Sequence, residues 1–325
     1  MSFELLKEKW SNRINTVTIG ATKDEGGSRT SVVKIGGEST LPFLFEEGEM
    51  PNKPAIAMEI WDTFPKEWPD LLKEPFLGVL DKPVEWAKRC VNEYKPDLLF
   101  IRLMSAHPEW GNNSPDRIAE VVKSIASNVG VPFIVKGCGD EEKDNMVLSK
   151  VSQILHGERC LLGNATQKNY RTLVASCIAD GHSIISENPL DINIEKQMNI
   201  LISDMDFSLE RIIIYPTTTA LGYGMEYVYS LMERSRMAGL SGDKLLAMPI
   251  MCFVGQEVWR VKEARGKVSD FPKWGEEEVR GPLWEATTAI NFLQAGADIV
   301  VVCHPKSVEI IQGYLKEIMV NEKHR

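Results

Sequence analysis

The sequence predicts an α/β protein, a (β/α)8 TIM barrel with an N-terminal β-hairpin extension. Eight short apolar runs, often β-branched, recur between residues 54 and 320, and a segment with helical spacing follows each run. Such runs are typical of parallel strands buried on both faces, and eight right-handed crossovers close naturally into a barrel of about 250 residues. A doubly wound open sheet is the alternative, but Ile60–Thr63, after the first run, lacks the glycines of a dinucleotide-binding turn.

The first 53 residues precede the barrel and are predicted to form an extension. Residues 15–36 have the pattern of a β-hairpin, because two β-branched runs lie on either side of the turn residues Gly26 and Gly27. We expect this hairpin to close one mouth of the barrel, which is predicted to occupy residues 54–325.

Eight predicted strands build the barrel. In order, they cover Ala55–Ile60, Leu98–Leu103, Phe133–Val135, Cys160–Leu162, Ser183–Ile185, Ile212–Tyr215, Met248–Cys252 and Ile299–Cys303. In barrels of this kind the chemistry belongs to the loops that follow the strands, so the residues at the strand ends are the first candidates for function.

The connections carry helix-start signals. Ser114 is a predicted N-cap with Pro115 at the first helical position, and Thr166 is a predicted N-cap of a later helix. The apolar face predicted for the helix after Thr166 comprises Tyr170, Leu173, Val174, Cys177 and Ile178.

One connection is unusually long. Residues 253–282 separate the seventh strand from its helix and mix charged residues with Trp259 and Trp274. An insert of this length is usually functional or binds a partner, and a solvated flap is the alternative.

The composition argues against nucleic-acid and membrane partners. Lys and Arg number 37 against 46 Asp and Glu, and the resulting net charge of -9 repels phosphate backbones. No apolar run reaches the roughly 18 residues that a membrane span needs. The N-terminal residues lack the apolar stretch of a signal peptide, and we therefore expect a cytoplasmic protein.

The six cysteines are scattered, and no two form a C-x-x-C pair. Iron–sulfur clusters and structural zinc sites normally use closely spaced thiolates. The sequence therefore predicts no metal ligands on this chain and favours cysteines that are small buried residues in a reducing compartment.

Four ionisable residues at strand ends are candidates for catalysis. Lys136 has the position of a Schiff-base lysine, but a lysine paired with a neighbouring carboxylate is the favoured interpretation. His304 is either a general base or, as we favour, a hydrogen-bonded structural residue. Glu59 and Glu187 could form a carboxylate pair, but nothing in the sequence fixes their separation.

The most distinctive segment joins the sixth strand to its helix, between Tyr215 and Tyr227. Its three consecutive threonines and two glycines allow hydroxyl groups and backbone amides to approach a ligand closely. This surface suits a large neutral ligand rich in amide groups, and an elaborate helix cap is the alternative.

With this segment, the chain resembles the small subunit of the corrinoid iron–sulfur protein, the counterpart of the delta subunit of archaeal acetyl-CoA decarbonylase/synthase. The resemblance spans essentially the whole chain. Its motifs are Pro42–Gly48, Ala57–Asp62, Ala220–Tyr227, Gly281–Glu285 and Ala297–Pro305.

The resemblance implies a barrel that pairs with a large corrinoid iron–sulfur subunit, which holds both a [4Fe–4S] cluster and a cobamide-binding domain. The heterodimer would be a methyl carrier of the reductive acetyl-CoA (Wood–Ljungdahl) pathway. Its cobamide would take a methyl group from methyltetrahydrofolate through a methyltetrahydrofolate:corrinoid methyltransferase and pass it to acetyl-CoA synthase. The small subunit would form part of the wall around the corrinoid and would have no catalytic activity of its own.

If the chain does enclose a corrinoid, residues at the strand ends are the expected contacts. Asp180 to His182 resembles the start of a cobalt-ligating D-x-H-x-x-G motif but lacks its final glycine, so His182 is not expected to bind cobalt. The expected cofactor-binding residues are Thr217, Thr218, Thr219, Leu221, Gly222, Tyr223, Asn164 and Glu187.

Two alternatives stay open from the sequence. The chain could be a stand-alone barrel enzyme, either a pterin-dependent methyltransferase that uses Asn164 and Glu187 or a Schiff-base aldolase that uses Lys136. It could also be a scaffold whose mouth the large subunit fills without any contact to the corrinoid.

Overall fold

The computed structural model describes residues 6–320. Eight parallel strands form a closed barrel in which each strand pairs with the next and the last pairs with the first. A two-stranded antiparallel hairpin precedes the barrel. The predicted (β/α)8 barrel with an N-terminal hairpin is therefore confirmed.

All eight predicted barrel strands are present. The hairpin consists of β1 (Thr16–Ile19) and β2 (Val33–Gly36), and the barrel of β3 (Ala55–Trp61), β4 (Leu98–Arg102), β5 (Phe133–Lys136), β6 (Leu161–Ala165), β7 (Ser183–Asn188), β8 (Ile212–Pro216), β9 (Ile250–Phe253) and β10 (Ala297–Val302). The largest shifts are at the carboxyl ends of β6 and β7, where polar residues continue the ladder although they interrupt the apolar run.

Helices surround the barrel. They are α1 (Asp70–Lys73), α2 (Pro83–Arg89), α3 (Pro115–Asn128), α4 (Glu141–Ile154), α5 (Tyr170–Asp180), α6 (Ile192–Ser203), α7 (Met225–Leu240), α8 (Val254–Val258), α9 (Lys262–Arg265), α10 (Glu277–Ala295) and α11 (Pro305–Val320). No helix within residues 6–320 is long and apolar enough to cross a membrane.

Of the two predicted N-caps, one is confirmed and one is wrong. The Ser114 hydroxyl accepts a hydrogen bond from the amide of Arg117, as an N-cap does. Helix α5 instead begins one turn after Thr166, with Asn169 at its N-cap position, because the carbonyl of Thr166 accepts the amide of Asn169 in a preceding turn. The buried face of α5 ends at Cys177, and Ile178 lies exposed beside it.

The hairpin closes the amino-terminal mouth of the barrel. The amide of Asn15 donates to the carbonyl of Ala247 at 2.7 Å, and the amide of Gly20 donates to the carbonyl of Arg159 at 2.8 Å; these acceptors precede β9 and β6. Hairpin and strand side chains share one buried cluster, which includes Val17, Ile19, Ile35, Ala57, Phe100, Ile134, Ile185 and Ile213. The opposite mouth, at the carboxyl ends of the strands, is surrounded by the loops that follow the strands.

The long connection after β9 is largely structured. It contains α8, α9 and a 3₁₀ turn at Pro272–Trp274, and α10 then begins at Glu277. The predicted insert of residues 253–282 therefore overlaps the start of α10. Pro282 lies inside this helix. A proline there removes one backbone hydrogen bond, but the helix continues past it. We call residues 254–276 the flap.

Candidate functional site

Polar and aromatic side chains occupy the inner positions at the carboxyl ends of the strands. Successive residues of a strand point alternately into and out of the barrel. The inward positions nearest the carboxyl end of each strand lie beyond the apolar interior and hold these side chains. This layer comprises Glu59, Arg102, Lys136, Glu187, Tyr215 and Phe253.

Glu59 and Arg102 form a buried ion pair on neighbouring strands. Arg102 Nε donates to Glu59 Oε1 at 2.6 Å, and the indole of Trp61 donates to the same oxygen at 2.7 Å. Arg102 also donates to Gln256 Oε1 at 2.6 Å, so the pair connects β3 and β4 to the flap. Glu59 is paired with Arg102, whereas the Glu187 carboxylate accepts the side-chain amide of Asn164, so the two carboxylates have different partners.

Lys136 is partly buried and forms no ion pair with a carboxylate of the described residues, so the predicted ion pair is wrong. Its ammonium lies 4.9 Å from the ring centre of Phe253 and forms no hydrogen bond or ion pair within residues 6–320. The register places Arg102 beside it on β4, and Arg102 already holds Glu59. Burial, together with the nearby Arg102 charge, lowers the pKa of Lys136 to about 8.

Asn164 and Glu187, both predicted site residues, lie together on the neighbouring strands β6 and β7. Asn164 Nδ2 donates to Glu187 Oε2 at 2.8 Å. The other amide atom, Asn164 Oδ1, is buried and accepts no hydrogen bond from the described residues. Because a buried unpaired carbonyl is costly, this atom is available to accept a hydrogen bond from a ligand.

His304 has a structural role, as the sequence favours. Its Nδ1 accepts the amide of Lys306, and its ring stacks on Trp259 with ring centres 5.8 Å apart. Burial lowers the pKa of the imidazole to about 4, so it is neutral near pH 7. The main-chain amide of His304 is held by Glu285 Oε2 at 3.1 Å.

His182 lies at the other end of the barrel. The amide of Cys160 donates to its Nδ1 at 3.1 Å, and its Nε2 lies 3.0 Å from the carbonyl oxygen of Ser152. Both ring nitrogens are therefore engaged by the backbone, and burial lowers the pKa of this histidine.

The three threonines after β8 have different environments. Thr218 is buried, and its hydroxyl accepts the amide of Phe253 at 3.1 Å, which fixes the loop to β9. Thr217 Oγ1 donates to the carbonyl of Asn188 at 3.3 Å. Thr219 Oγ1 is buried and has no partner among the described residues. Of the three hydroxyls, that of Thr219 alone lacks a hydrogen-bond partner among the described residues.

The remainder of the loop forms an open surface. Gly222 has a φ of +82°, which favours glycine, and a side chain added there would meet no atom within 4 Å. Tyr223 is 46% exposed, and its hydroxyl donates to Glu263 Oε2 of the flap at 2.7 Å. Because Gly222 has no side chain and the Tyr223 ring is exposed, this surface leaves room for a large flat ligand.

An apolar groove continues from this loop onto α10. It has a volume of about 570 Å³, and its lining includes Leu221, Trp274, Val279, Leu283 and Trp284. Val279 and Leu283 are unusually exposed for apolar residues. Exposed apolar surface of this kind marks a binding face.

Sequence comparison identifies the family to which this barrel belongs. Residues 16–302 match the family model of the CO dehydrogenase/acetyl-CoA synthase delta subunit. The chain belongs to this family. Among its relatives is the acetyl-CoA decarbonylase/synthase complex subunit delta of Archaeoglobus fulgidus, which is 34% identical over 95% of this chain and 69% of its own length. The subunit delta of Methanopyrus kandleri is 36% identical over 91% of this chain and 72% of its own length.

Solved structures with the same fold are dihydropteroate synthases. The enzyme of Coxiella burnetii in complex with pteroic acid has a TM-score of 0.58 and 13% identity, covering 94% of this chain and 99% of its own. That of Xanthomonas albilineans with 4-aminobenzoic acid has a TM-score of 0.56 and 13% identity, covering 85% and 95%. At such identity these matches support the barrel fold of this delta-subunit family member and nothing finer.

The groove is the part of this delta-subunit surface that the sequence did not predict. Val279 and Leu283 are four residues apart, which is one face of a helix, and this spacing was the available signal. The predicted insert of residues 253–282 contains Val279 and ends just before Leu283, so the two residues are not placed on one helix by the sequence analysis.

Proposed function

We propose that this delta-subunit family member is the small subunit of a heterodimeric corrinoid iron–sulfur methyl carrier, and that its carboxyl-terminal barrel mouth encloses the cobamide. The large subunit would hold the [4Fe–4S] cluster and the cobamide domain. The other partners are a methyltetrahydrofolate:corrinoid methyltransferase and acetyl-CoA synthase, in the reductive acetyl-CoA pathway of the cytoplasm. Family membership supports the place in the complex, and the loop after β8 supports the contact.

The observation that carries the proposal is the fit of the loop to a large, flat, amide-rich ligand. Thr219 Oγ1 and Asn164 Oδ1 are buried polar atoms without partners in residues 6–320. A corrinoid carries peripheral amides, whose N–H groups suit the free Asn164 oxygen and whose carbonyls suit the Thr219 hydroxyl. The open backbone at Gly222 and the ring of Tyr223 offer space and apolar cover for the macrocycle.

In this role the chain positions and shelters the cofactor. When bound, the cobamide supplies a nucleophilic metal centre for the methyl group. Residues of this chain would orient the corrin edge, through Thr219 and Asn164, and exclude water with Tyr223 and the groove residue Leu221. The Tyr223–Glu263 hydrogen bond joins this loop to the flap, so the flap is expected to be ordered together with the bound ligand.

Tyr223→Ala is expected to weaken cobamide retention by the heterodimer about tenfold or more, since truncation of an aromatic anchor removes a large share of the contact energy. Folding is expected to be unchanged because Tyr223 is 46% exposed. The measurement is the cobalt that stays with the complex after gel filtration, with circular dichroism as the check on folding.

Two variants make this result specific. Tyr223→Phe keeps the ring but loses the hydrogen bond to Glu263, so it should retain most of the cobamide. Ile178→Ala removes an apolar side chain of similar exposure, 45%, from the outer face of α5 and should have no effect. Undiminished retention by Tyr223→Ala would count against the site.

The proposed function has a test of its own. Purification from a native extract should yield a red-brown complex that contains cobalt, iron and a larger chain. A chain that folds as a stable monomer and gains nothing when mixed with a cobamide-loaded large subunit would refute the function, whatever the effect of Tyr223→Ala.

A second candidate, a Schiff-base aldolase, is favoured by one observation. The ammonium of Lys136 is unpaired, and a pKa of about 8 leaves a useful fraction of free amine near neutral pH. Borohydride trapping with small carbonyl substrates tests it. Covalent labelling of Lys136 by the isolated chain, together with turnover, would favour the enzyme over the carrier subunit.

A further inference from the structure

A second cavity opens at the barrel mouth, away from the proposed corrinoid loop. It has a volume of about 400 Å³ and is lined from the ends of β3, β4 and β10 and from the flap. The corrinoid loop follows β8, and Asn164 and Glu187 lie on β6 and β7. Its volume is sufficient for a small organic molecule.

Three arginines line this cavity, and each has N–H donors that no described residue accepts. Arg102 uses Nε and Nη2 for Glu59 and Gln256, but its Nη1 donates to no residue in the described part of the chain. Arg265 is exposed and makes no hydrogen bond or ion pair within residues 6–320.

Carboxylates balance the charges of these arginines in number. Arg260 is paired with Glu257 at 3.1 Å. The one carboxylate in the lining, Glu67, is exposed to solvent. Arg102 is likewise paired with Glu59, so the arginines attract an anion through their free N–H donors and not through an excess of positive charge.

Part of the lining is apolar and aromatic. The indoles of Trp61, Trp68 and Trp259 line the cavity and are nearly buried. Trp61 is held rigidly by edge-to-face contacts with Trp68, at 5.9 Å, and Trp110, at 5.2 Å between ring centres. Rigid indoles offer apolar area to a flat ring at little entropic cost.

We propose that this cavity binds a small organic anion that carries a flat ring and one carboxylate or phosphate group. Guanidinium N–H groups form charge-assisted hydrogen bonds with both anions, and the buried position of Arg102 strengthens such a bond. The anionic group contacts Arg102 Nη1 and Arg265, and the ring packs against Trp61 and Trp259. The site is separate from the corrinoid contact, so it stands or falls independently of the proposed function.

Isothermal titration of the full chain with three matched probes tests the proposal: benzoate, phenyl phosphate and the neutral benzamide. At least one anion is expected to bind saturably at one site per chain, and benzamide about tenfold or more weakly, because it lacks the charge-assisted hydrogen bonds. Preference for benzoate identifies a carboxylate ligand, and preference for phenyl phosphate identifies a phosphate ligand.

Two arginine variants test whether the anion binds in this cavity. Arg265→Gln is expected to weaken the preferred anion about tenfold without affecting the fold, because Arg265 is exposed and unpaired. Arg260→Gln, in the same lining but already paired with Glu257, serves as the matched control and should change the affinity little. The proposal is overturned if neither anion saturates, if benzamide binds as tightly, or if Arg265→Gln binds like the wild type.

Discussion

Replacing Arg102 with methionine is expected to lower the free energy of unfolding by about 3–5 kcal/mol, because the Glu59 carboxylate is then left buried without a cation. Glu59 is almost fully buried and receives both Arg102 and the indole of Trp61. One hydrogen bond from the Trp61 indole does not offset the cost of burying the charged Glu59 carboxylate. The measurement is chemical denaturation at neutral pH.

The controls separate burial from charge. Arg13→Met breaks an exposed pair, with Glu49, and should cost at most about 1 kcal/mol. The double variant Glu59→Gln with Arg102→Met removes both charges and should recover most of the loss. An Arg102→Met variant as stable as the wild type would show that the Glu59–Arg102 pair does not stabilise the barrel mouth.

The same substitution should loosen the flap. Arg102 donates to Gln256 of α8, so the ion pair connects two strands to the connection that also carries Glu263 and Trp274. Hydrogen exchange of the α8 amides is expected to rise in Arg102→Met and to stay unchanged in Arg13→Met. This links the stability of the buried pair to the order of the proposed binding surface.

The barrel could be predicted because its signal is local and repeated. A run such as Leu98–Arg102 is apolar throughout, since parallel strands are buried on both faces, and no tertiary information is needed to find it. The ends of β6 and β7 were harder to place, because Asn164 and Asn188 are polar yet buried. At strand ends with a functional role, polar residues interrupt the apolar run, so the end of the strand is hard to predict from the sequence.

Pairings inside the mouth depended on strand order and register. Asn164 and Glu187 meet because β6 and β7 are neighbours, and Glu59 meets Arg102 because β3 and β4 are neighbours. The absence of a partner for Lys136 could not be predicted, since it results from Arg102 lying at the same level of the barrel and holding Glu59. Competition between two cations for one carboxylate is a tertiary property.

Lys136→Met is expected to raise the free energy of unfolding by about 2–3 kcal/mol at pH 7. Burial lowers the pKa of Lys136 from 10.5 to about 8, so the folded barrel holds the ammonium at a cost. Methionine fits the space beside Phe253 and Tyr215 and makes favourable sulfur–aromatic contacts. Urea denaturation of both proteins measures the difference.

The pH dependence identifies the cause. Between the folded pKa, about 8, and the unfolded value, 10.5, the unfolded chain binds more protons at Lys136, so wild-type stability rises with pH in this window. The advantage of Lys136→Met should therefore be complete below about pH 8 and vanish by about pH 10.5. Lys316→Met, at an exposed position on α11, should show no such window. A gain that is independent of pH would instead indicate packing.

The cost of this lysine bears on function. A partly buried cation without an ion-pair partner is a candidate ligand contact, and Lys136 lies in the mouth that also contains the unpaired Asn164 oxygen. We therefore expect Lys136→Met to gain stability and to lose cobamide affinity in the heterodimer. Equal cobamide retention by this stabilised variant would show that the ammonium does not contact the corrinoid.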